Sequence, residues 1–230
     1  MPTNDQNQYI QLHYADEYNG NPVDQEQGPL ITRHLNSLED LLYRVKDTQP
    51  ETLAVRFDLH CPNTFEIRAT LEYGNGLISL FWQHLYNPFL DSTTNTCPKF
   101  HFAWTREHDR NTGQVDYKVL LLLNTYFIQE LCNTRPVPDV GRGDNLAGHI
   151  VRAWSHALGI PDPVVQLVSF PTDPHTGEIQ TMRLMTNDHN AWQQLFLQSS
   201  SLCKYEGKPL GRGFCAFRTS NRRSSEDRDD

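Results

Sequence analysis

Apolar residues recur along this chain at two spacings, one helical and one alternating, and the switches between them divide it into elements. Leu30, Ile31, Leu35, Leu38, Leu41, Leu42 and Val45 repeat at three- and four-residue intervals behind Pro29, which predicts an opening helix. Residues 52–59 (TLAVRFDL) predict a strand closed by Pro62. Residues 65–90 are apolar and aromatic but interrupted at 73–76 (YGNG), a pattern of helix, turn, helix. Residues 99–105 and 115–124 (VDYKVLLLLN) predict two further strands, and the DRNTG loop at 109–113 makes them antiparallel neighbours. After Asn124 come a short helical stretch to Leu131 and a loop over 135–143. Leu146, Ile150, Val151, Trp154, Ala157 and Leu158 then form the stripe of an amphipathic helix, capped by Asp144 or Asn145 and ended by Gly159 before Pro161. A strand from Val164 to Phe170, a proline-rich turn, a helix from His189 to Cys203 and a short strand at 214–217 complete the pattern. No internal repeat is visible.

This order predicts an α+β fold, a central antiparallel sheet with helices packed mainly on one face. Strands 52–59 and 115–124 are expected at its centre, side by side, with the helix 145–158 packed on them through Trp154.

Composition sets the outer limits. A chain of 230 residues with 37% hydrophobic content suits one domain with extensions. Polar, acidic residues dominate 1–28 and Ser, Arg and acids fill 219–230, so both ends are expected to be disordered around a domain at 29–218. No window is apolar enough to span a bilayer, and the first eleven residues lack a signal pattern, which points to the cytoplasm. Cys61, Cys97, Cys132, Cys203 and Cys215 are scattered and form no Cys-x-x-Cys pair, which argues against a disulfide framework and a zinc ribbon alike.

The net charge of −8 is unevenly spread. Asp5, Asp16, Glu17, Asp24 and Glu26 meet no Lys or Arg within residues 1–28. Lys204, Lys208, Arg212, Arg218, Arg222 and Arg223 face only Glu206 over 204–223. That basic segment suits phosphates, or is simply a solvated edge.

The most informative chemistry sits at the start of the strand 115–124. Side chains alternate along a strand, so Asp116 and Lys118 share one face while Tyr117 and Val119 take the other. The carboxylate of Asp116 suits Mg²⁺ or Mn²⁺, but Lys118 brings an ammonium to the same spot. The pair also reads as a plain salt bridge at a strand entrance. Asp58 and His60, ending the neighbouring strand, are either further ligands or hydrogen-bonded end residues. Phe102, Trp104 and Tyr117 suit base stacking or the core, and His101 and His108 have no metal-like partner nearby in sequence.

Four segments together resemble a known family: VRFDLHCP (55–62), FAWTRE (102–107) leading into DYKVLLLLN (116–124), LAGHIVRAWSHALG (146–159), and LFLQSSSLCK (195–204) with GFC (213–215). In this order they resemble the replication-initiator-like proteins of filamentous phages and prophages, of the YagK/YfjJ C-terminal type. The likeness runs over roughly 30–218 and implies an HUH endonuclease-like palm, akin to RNA-recognition folds. In such proteins a histidine pair holds a divalent metal and a helix tyrosine attacks the scissile phosphate.

Both halves of that centre depart from the family pattern here. Asp116-Tyr117-Lys118 stands where the pattern has His-Tyr-His, which makes Asp116, Lys118, His60 and Asp58 a degenerate metal site. Ser201, before Leu202-Cys203-Lys204, stands where the tyrosine is expected. Tyr205 and Lys208 form a Tyr-x-x-Lys pair one helical step further on. The implied function is that of a catalytically lapsed initiator that binds single-stranded or hairpin DNA through the six bases of 204–223 as a regulator or accessory factor, with no metal. Two alternatives stand beside it. One is an active nickase using Mg²⁺ or Mn²⁺ at Asp116 and Ser201 or Tyr205 as nucleophile; the other is a phage-encoded inhibitor that binds a host protein.

Overall fold

Alternation along two long strands decides how this molecule is layered. The computed structural model of the chain describes residues 10–26, 28–64, 67, 74–87, 100–109, 112–125, 145–172, 179–210 and 215–220. The elements are β1 (Leu12–His13), β2 (Glu17–Tyr18), β3 (Asn21–Pro22), β4 (Leu30–Ile31), α1 (Thr32–Thr48), β5 (Glu51–His60), α2 (Gly76–Tyr86), β6 (His101–His108), β7 (Val115–Asn124), α3 (Leu146–Ala157), β8 (Val168–Ser169), β9 (Thr181–Met185), α4 (His189–Ser200) and β10 (Phe217–Thr219).

The main sheet is six-stranded and antiparallel, in the order β10-β6-β7-β5, with β8 and β9 both along the outer side of β5. As expected, β5 and β7 are adjacent and central, with Leu53 opposite Leu123 and Asp58 opposite Lys118.

The class is α+β as read from the sequence, but the helices lie on both faces rather than mainly on one. Val55, Phe57 and Leu59 of β5 and Val119, Leu121 and Leu123 of β7 pack under α2 and α3. Ala54, Leu120 and Leu122 turn the other way, under α1 and α4. The reason is in the run Val119 to Leu123: five successive buried apolar residues leave neither face to solvent. Trp154 joins α3 to the sheet as expected. It is fully buried, meets Tyr117 and Phe81 edge-on, and its Nε1 donates to His60 O at 3.0 Å. Asn145 caps α3 by accepting from Gly148 N at 2.8 Å, and Gly159 ends the segment at φ 73°.

Other boundaries shift. The segment expected as one strand over 164–170 is a 3₁₀ turn at Val165–Leu167 and a two-residue strand. The proline-rich turn after it contains β9, which was not expected and pairs with the start of β5. The last strand lies at 217–219 rather than 214–217, because it pairs with Ala103 to Thr105 on the sheet edge. The short helix to Leu131 and the loop 135–143 lie outside the described residues, as does most of the first helix of the 65–90 pair.

Residues 10–26 are folded where composition predicts disorder. Leu12–His13 pairs with β4, β2 pairs with β3, and Val23 is buried in the cluster beneath α1 and α4. One buried valine and two short ribbons outweigh the polar composition. No helix among the described residues is long and apolar enough to cross a membrane.

Candidate functional site

The face of the sheet beneath α1 and α4 is apolar at one end and charged at the other. Strand pairing brings the charges together: His60 opposite Asp116, Asp58 opposite Lys118, and Glu107 of β6 on the far side of Asp116. Since Tyr117 faces α3 instead, Asp116 and Lys118 share a face as alternation requires.

Glu107 is the centre of this end. Its Oε2 lies 3.3 Å from Lys118 Nζ and 3.2 Å from Lys204 Nζ, and its Oε1 accepts from Lys208 Nζ at 3.2 Å. Burial alone would raise its carboxyl, but Lys208, Lys118 and Lys204 outweigh burial and hold it below the usual carboxylate range. The side chain of Lys208 is wholly enclosed. Burial lowers its ammonium to about 8, against the pull of Glu107, which leaves it charged at neutral pH.

A turn brings Lys208 to this place. After α4 and the 3₁₀ segment Ser201–Cys203, the chain turns over Tyr205–Lys208 with Gly207 at φ 75°. His108 N then donates to Gly207 O at 2.8 Å, which fastens the turn to the end of β6 beside Glu107.

Beside this cluster, His60 Nδ1 meets Asp116 Oδ1 at 3.1 Å and His60 Nε2 meets Ser169 Oγ at 3.0 Å. The bond to Asp116 raises the imidazole above its ordinary value despite partial burial. It also fixes Nδ1 as the donor. Gln114 Nε2 donates to the same Oδ1 at 3.4 Å. Burial raises the Asp58 carboxyl, with Lys118 and His60 opposing.

The arrangement answers several sequence expectations. The four residues read as a degenerate metal site do come together, in two sets: His60 with Asp116, and Asp58 beside Lys118. The salt-bridge reading is met in altered form, since Lys118 pairs with Glu107 and not with Asp116. A divalent ion between Asp116 and Glu107 would face three ammoniums. Among the described residues no set of three or more His, Cys, Asp and Glu has a metal-ligand arrangement.

The nucleophile candidates are less favoured by their surroundings. Ser201 Oγ donates to Gln198 O at 3.0 Å, and no imidazole or carboxylate bonds to it among the described residues. Tyr205 is exposed at the turn, its backbone N held by Pro29 O at 2.9 Å. Trp104 and Tyr117 are core residues facing α2 and α3, and Phe102 stacks on Trp82 at 4.1 Å, so none offers a free ring to a base.

The six bases of 204–223 do not form one described surface. Lys204 and Lys208 turn inward to Glu107. Arg218, opposite Trp104 on the edge strand, is exposed on the other face of the sheet. Arg212, Arg222 and Arg223 lie outside the described residues. Glu107 itself escaped the sequence reading. The hairpin loop 109–113 sets the register that puts it opposite Asp116, and that was the available signal.

Comparison with known proteins extends these observations over the whole unit. The model of the YagK/YfjJ C-terminal domain matches residues 14–220, from just before β2 to just past β10. The protein YagK of Escherichia coli (strain K12), described as uncharacterized, is 27% identical over 201 residues, covering 81% of this chain and 91% of that protein. No solved structure matches the chain. With the matched span taking in the charged end of the sheet and every strand that builds it, the chain belongs to the YagK/YfjJ C-terminal domain family.

Proposed function

We propose that this protein is a lapsed relative of rolling-circle replication initiators that binds single-stranded or hairpin DNA, as a regulator or accessory factor of a mobile element, without nicking it. One observation carries the reading: Lys118, at the position of the second histidine, is ion-paired to Glu107, which also holds Lys204 and Lys208. A metal-activated phosphoryl transfer needs a cation where this chain has built three ammoniums, and an activated hydroxyl where Ser201 is bonded to a helix carbonyl.

The DNA-binding half rests on charge. Arg218 is exposed on the sheet edge, and Arg212, Arg222 and Arg223 flank it in sequence. Lys204 and Lys208 leave the set of phosphate binders, because withdrawing either from Glu107 breaks a buried contact.

The test is incubation with labelled hairpin and single-stranded DNA in the presence of Mn²⁺ or Mg²⁺, scoring retention and covalent transfer separately. Retention without a covalent adduct is the expected result. An adduct that disappears in Tyr205→Phe or Ser201→Ala establishes the nickase reading instead. Absence of retention at low salt turns the function toward a protein partner.

A further inference from the structure

The outer edge of β5 changes partner partway along. β9 pairs with residues 51–55 and β8 with 58–59, so Arg56 and Phe57 lie at a break in the sheet. The chain leaves β8 through Pro171 and returns to β9 through Gln180, whose N donates to Pro171 O at 2.8 Å, and a Thr172–Ile179 bridge extends this stem. On the side facing α4 the break opens into a cavity of about 240 Å³. Arg56, Gln180, Thr181 and Gln198 supply its polar wall, and Ala54 and Leu195 its apolar floor.

Arg56 lines this cavity without a hydrogen-bond or ion-pair partner among the described residues. Its nitrogens keep access to solvent. Asp58 and Asp24 are the carboxylates whose charge reaches it, and neither forms an ion pair with it. A half-buried guanidinium with no carboxylate in direct contact leaves its donors open to an anion. Its fork of donors matches an oxyanion in bidentate fashion, and the Gln amides and the Thr181 hydroxyl add neutral donors.

We propose that this cavity binds a tetrahedral phosphate group through Arg56. The volume is below the roughly 300 Å³ at which pockets begin to enclose drug-sized ligands, so it suits a terminal phosphate better than a whole nucleotide. The phosphate arrives either free or on the end of a nucleic-acid strand, and the chemistry at Arg56 is the same. The site lies on the opposite face of the sheet from Arg218 and does not rest on the DNA-binding reading.

The test is calorimetry of the full chain with inorganic phosphate against a chloride control, repeated with 5′-phosphorylated and 5′-hydroxyl oligonucleotides of one sequence. Saturable phosphate binding is expected, weakened about tenfold or more by Arg56→Gln, as befits loss of a charged bidentate contact. Gln198→Trp, at a half-exposed helix position on the cavity wall, is expected to weaken it similarly and carries the test if Arg56→Gln fails to fold. A preference for the 5′-phosphorylated strand assigns the phosphate to nucleic acid; equal affinity for the two strands with retained inorganic phosphate binding assigns it to a free anion, and both support the site. No saturable phosphate binding, or binding untouched by the folded variants, overturns it.

Discussion

Lys208 Nζ lies 3.2 Å from Glu107 Oε1 inside the folded chain, the lysine side chain wholly enclosed and the carboxylate nearly so. Two further ammoniums share that carboxylate, so the charges depend on Glu107 more than on any one lysine.

The cluster should therefore respond asymmetrically. Glu107→Gln leaves the enclosed Lys208 without a counter-charge and is expected to cost on the order of 3–5 kcal/mol. Lys208→Met removes one cation while Glu107 keeps Lys118 and Lys204, and should cost roughly half of that or less. Urea unfolding of both variants measures the difference. Equal losses, or a larger loss for Lys208→Met, would show that the cluster is not organised around the carboxylate.

Acid should weaken the fold in a window set by His34. This residue is buried on α1 and stacks on Phe217 at 4.5 Å, and burial, with Lys208 and Arg33 adding to it, pushes its imidazole down to about 3. A folded value below the ordinary 6.5 means that its contribution is complete above pH 6.5 and is lost as pH falls toward 3, by up to about 1.4 kcal/mol per pH unit. Glu107, also held low, loses its contribution only below about 4.5. His60, held high, keeps its contribution at acid pH and loses it above 6.5. A decline between pH 6 and 5 is expected from His34, and His34→Phe should reduce it. An unchanged slope in that variant would place the acid sensitivity elsewhere.

Much of this was readable from residues alone, and the exceptions share a cause. The β5–β7 pairing and the Trp154 contact follow from apolar patterning, which is a local signal. The run Val119 to Leu123 also carried the two-sided burial, because a strand with one wet face would alternate. β9 was hidden because Thr181 and Arg183 carry polar side chains on an edge strand inside a proline-rich stretch. Lys204 and Lys208 looked like phosphate binders because the carboxylate that meets them is far away in sequence, on β6. Arg56 drew no notice for the same reason, since the break between β8 and β9 that exposes it appears only after folding.

Metal affinity follows from Lys118. Calorimetry with Mn²⁺ is expected to show no micromolar site on the natural chain, since Lys118, Lys204 and Lys208 gather positive charge on Glu107, the residue opposite Asp116. Replacing both residues, Asp116→His with Lys118→His, creates a two-imidazole grip on a rigid strand beside Glu107 and should tighten binding by about tenfold or more. Micromolar binding by the natural chain that Asp116→Ala abolishes would sink this account.

DNA binding should carry the signature of the arginines of 204–223 and not of the lysines that meet Glu107. Arg218 is exposed on the sheet edge, and Arg212, Arg222 and Arg223 are the other arginines of 204–223. Engagement of all of them by a single strand gives a log–log salt slope near −3, at roughly 0.7 per neutralised phosphate. Charge reversal at Arg212 and Arg218 should cut both affinity and slope. Lys208→Met should lower stability and leave the slope alone, which separates the two roles within one segment. The acidic residues before α1 would oppose such binding through their field, yet deleting 1–28 would strip Val23 and β1 from the fold. Neutralisation is the cleaner probe: Asp16→Asn with Glu17→Gln removes two negative charges without touching the core, and a modest gain in affinity, largest at low salt, is expected. A slope unchanged by the arginine reversals would move the DNA contact to the charged end of the sheet, where Lys118 is the more exposed of the lysines around Glu107.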